Sequence, residues 1–355
     1  WFIYYKGGFE MLKLETFDYE ELVKHRGTKK RGFFEIGMKP DGSMMKIPYV
    51  IVVGAQDGPT LLMDGGIHGD EVEGADAIAR VFNELDPQKV KGVYLGIPHL
   101  NLEGFNIGKR VASSIDYTAA DMNRVFPGDD VNGKISTTII AKYVKHFVEY
   151  ADYWVTFHSG GNTLYLEPIA CYTNPKRDEV FGDLTLNMAK CFMTKYLWLC
   201  NPGGAKEGST ATMRGLSEVK KIAYICLEMG GNTCILKERE KIYNMCHDGI
   251  INLMNYLKMT DGEVPTFRTD TISVDVDYLH ITNGGIYHPT KYIFDRVKKG
   301  EQLGYVTDIF GEVVDERLAP YDGIVVGTWT PPVIQPREWS CLFGKIMEED
   351  RKSVV

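Results

Sequence analysis

The chain has 355 residues, 44% hydrophobic and 25% charged, ordinary for a soluble globular protein with room for one large core and a smaller one. Its formal charge of −8, from 40 Lys+Arg against 48 Asp+Glu, argues against non-specific binding to nucleic acid or an anionic membrane, with a local basic pocket left open. No apolar run approaches the roughly 20 residues of a membrane span. Seven scattered cysteines without a Cys-x-x-Cys spacing predict reduced thiols, and with them a cytoplasmic location.

In chain order, Trp1-Phe2-Ile3-Tyr4-Tyr5 is apolar but too short and too poor in charge for a signal peptide. Lys6 to Met11 can be encoded by a purine-rich run of the bacterial ribosome-binding kind ahead of a start codon. Residues 1–10 are therefore expected to be leader and Met11 the start, with a short extra strand as the alternative. From residue 46 strand-like and helix-like runs alternate. Strands are expected over 46–54, 59–65, 92–99, 153–157 and 222–229, and helices over 72–85, 138–150, 179–192 and 236–257. Such alternation predicts an α/β fold, a mostly parallel or mixed sheet covered by helices on both faces. Long irregular stretches at 101–133 and 201–219 read as functional loops.

After the linker-like Thr260-Asp261-Gly262-Glu263-Val264-Pro265 the pattern changes to short strands, expected over 272–276, 285–288, 302–307 and 323–329. The segments 297–303 and 318–325 resemble the hairpins of biotinyl/lipoyl carrier domains. The matching turn, Ile309 to Glu316, holds no Lys, so a carrier function is not expected. The organisation read from these shifts is an N-terminal segment over 1–45, a catalytic domain over 46–259, and a small all-β, barrel-sandwich-like domain over 265–350. That last domain would be structural or oligomerising, so a homo-oligomer is left open.

The chemistry concentrates at strand ends. Asp64-Gly65-Gly66-Ile67-His68-Gly69-Asp70-Glu71 follows an apolar strand and precedes a helix, so His68 and Glu71 can face one divalent metal in the crevice beyond the strand's carboxyl end. His146-Phe147-Val148-Glu149 has the same His-x-x-Glu spacing but lies in a helix-like run without glycines, and reads as a helix face. Tyr153 to Phe157 is a strand ending at His158, a third ligand candidate or else a hydrogen-bonded core histidine. Two His and one carboxylate leave a zinc ion one open position, the ligand set of catalytic sites. Glu228 ends the apolar strand Ile222 to Leu227 ahead of Gly230-Gly231, where a carboxylate beside such a site can act as general base and then acid, or else serves as a helix cap or salt-bridge partner. Arg110 and Arg124 lie in the long loop 101–133 and, taken singly, a surface role is the better reading for each. No Gly-x-Ser-x-Gly is present, which disfavours a serine hydrolase.

The motifs His68-x-x-Glu71, Asn101…Arg110, Asp121-x-Asn123-Arg124, strand-His158 and strand-Glu228-x-Gly230-Gly231, in this order, resemble the succinylglutamate desuccinylase/aspartoacylase branch of the zinc carboxypeptidase-like hydrolases. The resemblance covers about residues 45–258 and departs from the family at Asn101-Leu102, where Asn-Pro is usual. It implies one zinc per chain on His68, Glu71 and His158, Glu228 as base, Arg110 polarising the scissile carbonyl, and Asn123 and Arg124 holding a substrate carboxylate. The implied reaction is amide hydrolysis of N-acyl amino acids or related N-acyl amines. The alternatives are a zinc carboxypeptidase acting on short peptides and, in a different class, a non-catalytic metal- or ligand-binding module.

Overall fold

A computed structural model describes residues 16–111, 121–176, 178–200, 211–231 and 236–347. The expected leader lies outside them, as does most of the loop before Ala211. A short helix α1 (Tyr19–Leu22) precedes strands β1 (Thr28–Met38), β2 (Met44–Val53) and β3 (Gln56–Asp64). Helix α2 (Glu73–Glu84) leads to β4 (Lys91–Ile97), the short α3 (Leu102–Ile107), α4 (Ile135–His146) and β5 (Tyr153–His158). Next come β6 (Leu164–Leu166), β7 (Ile169–Thr173), α5 (Leu184–Lys190), β8 (Tyr196–Cys200), α6 (Met213–Lys220), β9 (Ala223–Glu228) and the long α7 (Leu236–Tyr256). The C-terminal part is all strand: β10 (Ile272–His280), β11 (Gly285–Pro289), β12 (Arg296–Val297), β13 (Gln302–Thr307), β14 (Val313–Leu318), β15 (Gly323–Trp329), β16 (Val333–Ile334) and β17 (Trp339–Ile346).

The large mixed sheet has the order β1-β2-β4-β3-β5-β9-β7-β8-β10-β17-β15-β12, with β6 added beside β15. At its centre β4, β3, β5 and β9 run parallel, so their carboxyl ends open on one side. Side chains alternate along each strand. Val155, Phe157, Ile225 and Leu227 enter the core under α2, α5 and α7. Trp154 and Tyr224 enter the opposite core with α4 and α6. His158 and Glu228 continue this second series, so both lie on the α4/α6 face.

β14-β13-β11-β16 form a separate antiparallel sheet, and the Ile309-Phe310 turn between β13 and β14 is exposed at its tip. The other C-terminal strands extend the large sheet: Ile272, Ser273 and Val274 pair in parallel with Tyr196, Leu197 and Trp198 of β8. The hydrogen-bonded sheet thus runs on past the linker-like segment. Among the described residues no helix is long and apolar enough to cross a membrane. The six described cysteines are free thiols.

Strands β1, β6, β7 and β8 are additional to those expected, and three other segments differ from the sequence reading. The loop expected over 101–133 contains α3, capped by the Asn101 side chain on Gly104 N at 2.9 Å and ended by Gly108 at φ 60°. The loop expected over 201–219 contains α6, whose Thr212 hydroxyl accepts from Gly215 N. The helix expected over 179–192 is regular only from Leu184 to Lys190.

Below the carboxyl end of β3 sits Asp64, fully buried and accepting hydrogen bonds from Tyr143 of α4 and from Trp154 and Thr156 of β5. Burial raises this carboxyl above its usual range, and the three donors oppose the shift. Asp64→Ala leaves three buried donors without an acceptor and is expected to lower unfolding stability by about 3 kcal/mol or more. Chemical denaturation with unchanged m-value checks this; a loss below about 1 kcal/mol would show that the donors find other partners.

Candidate functional site

The site is built on the ends of β3, β5 and β9. The glycine-rich turn after β3 carries His68 and Glu71 before α2 begins. Gly69 is required there: a Cβ would stand 2.1 Å from the Gly104 carbonyl carbon of α3, and Gly69 N donates to Arg110 O. That close approach ties the His68 turn to the segment bearing Arg110. His158 ends β5 and is paired in register with Glu228 at the end of β9.

Glu71 gives one carboxylate oxygen to each histidine, with Oε1 2.9 Å from His68 Nδ1 and Oε2 2.9 Å from His158 Nδ1. The two Nδ1 atoms are 3.2 Å apart, and all three residues are buried. Their ligand atoms lie within 4.8 Å of one another, so His68, Glu71 and His158 could hold a metal ion. Asp121, 3.0 Å from His68 Nε2, accepts that ring's N–H and thereby leaves Nδ1 as the lone-pair atom facing Glu71. The donor set and its orientation fit a metal with nitrogen and oxygen ligands.

Arg110 closes one side, with Nη1 3.0 Å from Glu71 Oε1 and Nη2 3.0 Å from Asp121 Oδ2. Burial works against this guanidinium, but Glu71 and Asp121 hold its pKa above the ordinary value. Burial would raise Glu71, yet His68 and His158 hold it well below the usual carboxylate range. Asp121 is likewise held down, against burial, by His68 and Arg110. His158 is disfavoured as a cation by burial, while Cys226 and Glu71 push it to about 10. The cluster therefore retains a positive charge, as a proton or as a metal ion. Burial, then Cys226, pushes the Glu228 carboxyl well above its usual range, and His158 pulls it back.

A cavity of about 1050 Å³ opens from this cluster across the sheet face, lined by Arg124, Glu228, Arg214, Trp198, Tyr278 and Trp339 among others. Its far wall, Tyr278 and Trp339, comes from the C-terminal strands. Asn123 Oδ1 accepts from Met213 N at 3.0 Å, and its Nδ2 stands 3.4 Å from His158 Nε2. Arg124 is exposed at the rim, its Nη1 donating to Asn123 O. The structure thus brings Glu228, Arg110, Asn123 and Arg124 around the His68/Glu71/His158 cluster. His146 is elsewhere, packed on Phe34, and Glu149 pairs with Lys220.

Two residues carry more than the sequence reading assigned. Asp121 caps the turn Met122–Arg124 by accepting from Asn123 N, so in sequence it reads as a local cap. Its contact with His68 becomes visible only in three dimensions. Arg214 follows the Thr212 cap of α6 and lies 5.6 Å over the Tyr224 ring. Its Nη1 is buried with no hydrogen-bond partner among the described residues, beside thiols rather than a carboxylate. A guanidinium nitrogen without a partner in a cavity wall is chemically suited to an anionic ligand group.

His68→Ala and His158→Ala are expected to abolish stoichiometric metal binding, whereas His146→Ala keeps it; elemental analysis decides, and the reverse pattern would overturn the cluster. Asp121→Ala should weaken metal affinity by about 10- to 100-fold with the fold intact. Because His158 is protonated below about 10 in the metal-free protein, metal binding at neutral pH should release about one proton per ion, and affinity should rise with pH. Calorimetry in buffers of different ionisation enthalpy reads the proton directly, and zero release contradicts the assignment.

The family model of the succinylglutamate desuccinylase/aspartoacylase catalytic domain matches residues 57–257. An N-alpha-acetyl-L-2,4-diaminobutyric acid deacetylase from Halomonas elongata is 25% identical over 328 residues, covering 90% of this chain and 92% of the relative. The product-bound ectoine utilization protein EutE (DoeB) from Ruegeria pomeroyi superposes with a TM-score of 0.78 at 23% identity, over 90% of this chain and 96% of its own. A succinylglutamate desuccinylase from Silicibacter sp. TM1040 gives 0.79 at 21% identity, over 92% and 97%. These two structures share the fold, including the C-terminal strands. The chain belongs to the succinylglutamate desuccinylase/aspartoacylase family, whose members are deacylating hydrolases.

Proposed function

We propose that the protein is a zinc-dependent deacylase that hydrolyses the amide bond of N-acyl amino acids or related N-acyl amines, releasing a carboxylate and a free amine. The observation that carries this reading is Glu71 joining both histidines at the ends of β3 and β5, with Glu228 in register beside His158. Two nitrogens and one carboxylate match the open, catalytic type of zinc site. When bound, zinc would acidify a water molecule and polarise the acyl carbonyl.

The protein's own groups account for the remaining steps. Glu228 takes the proton from the attacking water and returns it to the departing amine nitrogen. Its position in a partly closed cavity, under the competing influences of burial and His158, suits a group that changes protonation twice in one turnover. Arg110, held charged by Glu71 and Asp121, stands beside the cluster, where it can stabilise the oxyanion that forms on the acyl carbon. Asn123 and Arg124 are candidates to grip a substrate carboxylate at the rim, and the unmatched Arg214 is a second receptor within the wall. The Halomonas elongata relative, by its name, deacetylates an N-acetylated diamino acid, which supports the amino-acid class of substrate.

Glu228→Gln should retain metal and fold while lowering turnover by about 10²- to 10⁴-fold, because an amide cannot accept the water's proton. Near-normal turnover in that variant would remove Glu228 from the mechanism. A second experiment pairs Arg124→Ala and Arg214→Ala with substrates whose carboxylate is free or converted to a primary amide. A charge-assisted hydrogen bond contributes about 1.5–3 kcal/mol, so each removal should cut kcat/KM about 10- to 150-fold. The arginine that touches the carboxylate will show little further loss on the amide. Strictly additive losses at both positions would indicate that the substrate is an N-acyl amine without an acid group.

A further inference from the structure

Three thiols line the cavity and have no part in the hydrolysis proposed above. Cys171 is on β7, Cys200 ends β8 and Cys226 is on β9, two residues before Glu228 and on its face of the sheet. The Cys171 thiol interacts with both of the others. It is buried, 3% exposed, whereas Cys226 and Cys200 are partly exposed. The Arg214 guanidinium lies near all three, a charge that favours thiolate over thiol. Ordinary buried cysteines act as small apolar residues in apolar surroundings; these have one another and a cation.

Register separates the possible pairs. β7 and β9 are antiparallel, and Cys171 stands directly opposite Cys226. Directly opposed residues have Cα atoms about 4.5–5.5 Å apart, inside the range of about 4.4–6.8 Å that a disulfide spans. Cys200 is opposite Thr173 on the neighbouring parallel strand, two positions beyond Cys171. Such a diagonal is about 7–8 Å, too long for a bond without backbone movement.

We propose that Cys226 and Cys171 form a thiol modification site in the cavity wall, which a low-molecular-weight disulfide entering the cavity converts to a cross-strand bond. Cys226, the partly exposed member of the pair, attacks one sulfur of R–S–S–R, giving a mixed disulfide and expelling R–S⁻, which takes up the proton that Cys226 lost. Cys171, directly behind it, then attacks Cys226 Sγ and expels the second R–S⁻, which takes the Cys171 proton. The protein loses two hydrogens and becomes a disulfide, while the small disulfide is reduced to two thiols. The bond joins β7 to β9 beside Glu228, and the cavity is cleared of the adduct.

Glutathione disulfide added to the native full-length protein, followed by thiol blocking, intact mass and peptide mapping, tests this independently of catalytic activity. Wild type should lose two hydrogens and yield a linked Cys171–Cys226 peptide that dithiothreitol separates. Cys171→Ser should instead keep glutathione on Cys226, Cys226→Ser should form no link, and Cys200→Ser should behave as wild type. Circular dichroism confirms that each variant is folded, and the wild-type map alone decides if one is not. An unreacted wild type, a persistent glutathione adduct on it, or a bond through Cys200 would overturn the proposal.

Discussion

The carboxylate of Glu71 organises the site. It is 4% exposed, with one oxygen facing His68 and accepting from Arg110 and the other facing His158 and accepting from the Ser159 N–H. A buried carboxylate is tolerated only where positive charge and hydrogen bonds surround it. Here that requirement draws together the end of β5, the turn after β3 and the Arg110 segment. The proton retained by His158 is the metal-free answer to the same requirement. A divalent cation on the three residues would satisfy it with one ion.

The surroundings of Glu71 follow from how parallel strands end. The buried positions of β3, β5 and β9 are mostly apolar, and His158 and Glu228 stand at the last positions of β5 and β9. Asp64, the last residue of β3, acts as a bolt: its three donors join β5 and α4 below the turn that carries His68. The turn that carries His68 and Glu71 therefore rests on a packed and hydrogen-bonded floor. The C-terminal strands contribute differently. By extending the sheet past β8 they bring Tyr278 and Trp339 into the cavity wall, so that wall is drawn from both parts of the chain.

Much of this was legible in the sequence because the signals were local. A strand, two glycines, His68-x-x-Glu71 and a helix can be read in one short stretch, and the bare His146-x-x-Glu149 spacing is distinguished by lacking them. Strands with strong apolar runs, such as β3, β5 and β9, were equally plain. β1 was not, since its residues are mostly exposed or half-exposed and give no clean alternation. β7 and β8 are short runs in which cysteine and aromatic residues fit helix or strand alike. Asp121 was hidden for another reason: it caps a turn, which is its own local explanation, and its contact with His68 arises only by tertiary packing. The pairing of Cys171 with Cys226 is non-local in the same way, because strand register sets it.

The most direct measurement is X-ray absorption at the zinc edge on the zinc-loaded, full-length protein. Zinc held by His68, Glu71 and His158 is expected to show only nitrogen and oxygen neighbours at about 2.0–2.2 Å, with the outer-shell scattering of two imidazole rings. Sulfur neighbours at about 2.3 Å would place the ion on the cavity thiols instead and contradict the account of Glu71 as the organiser of the metal site.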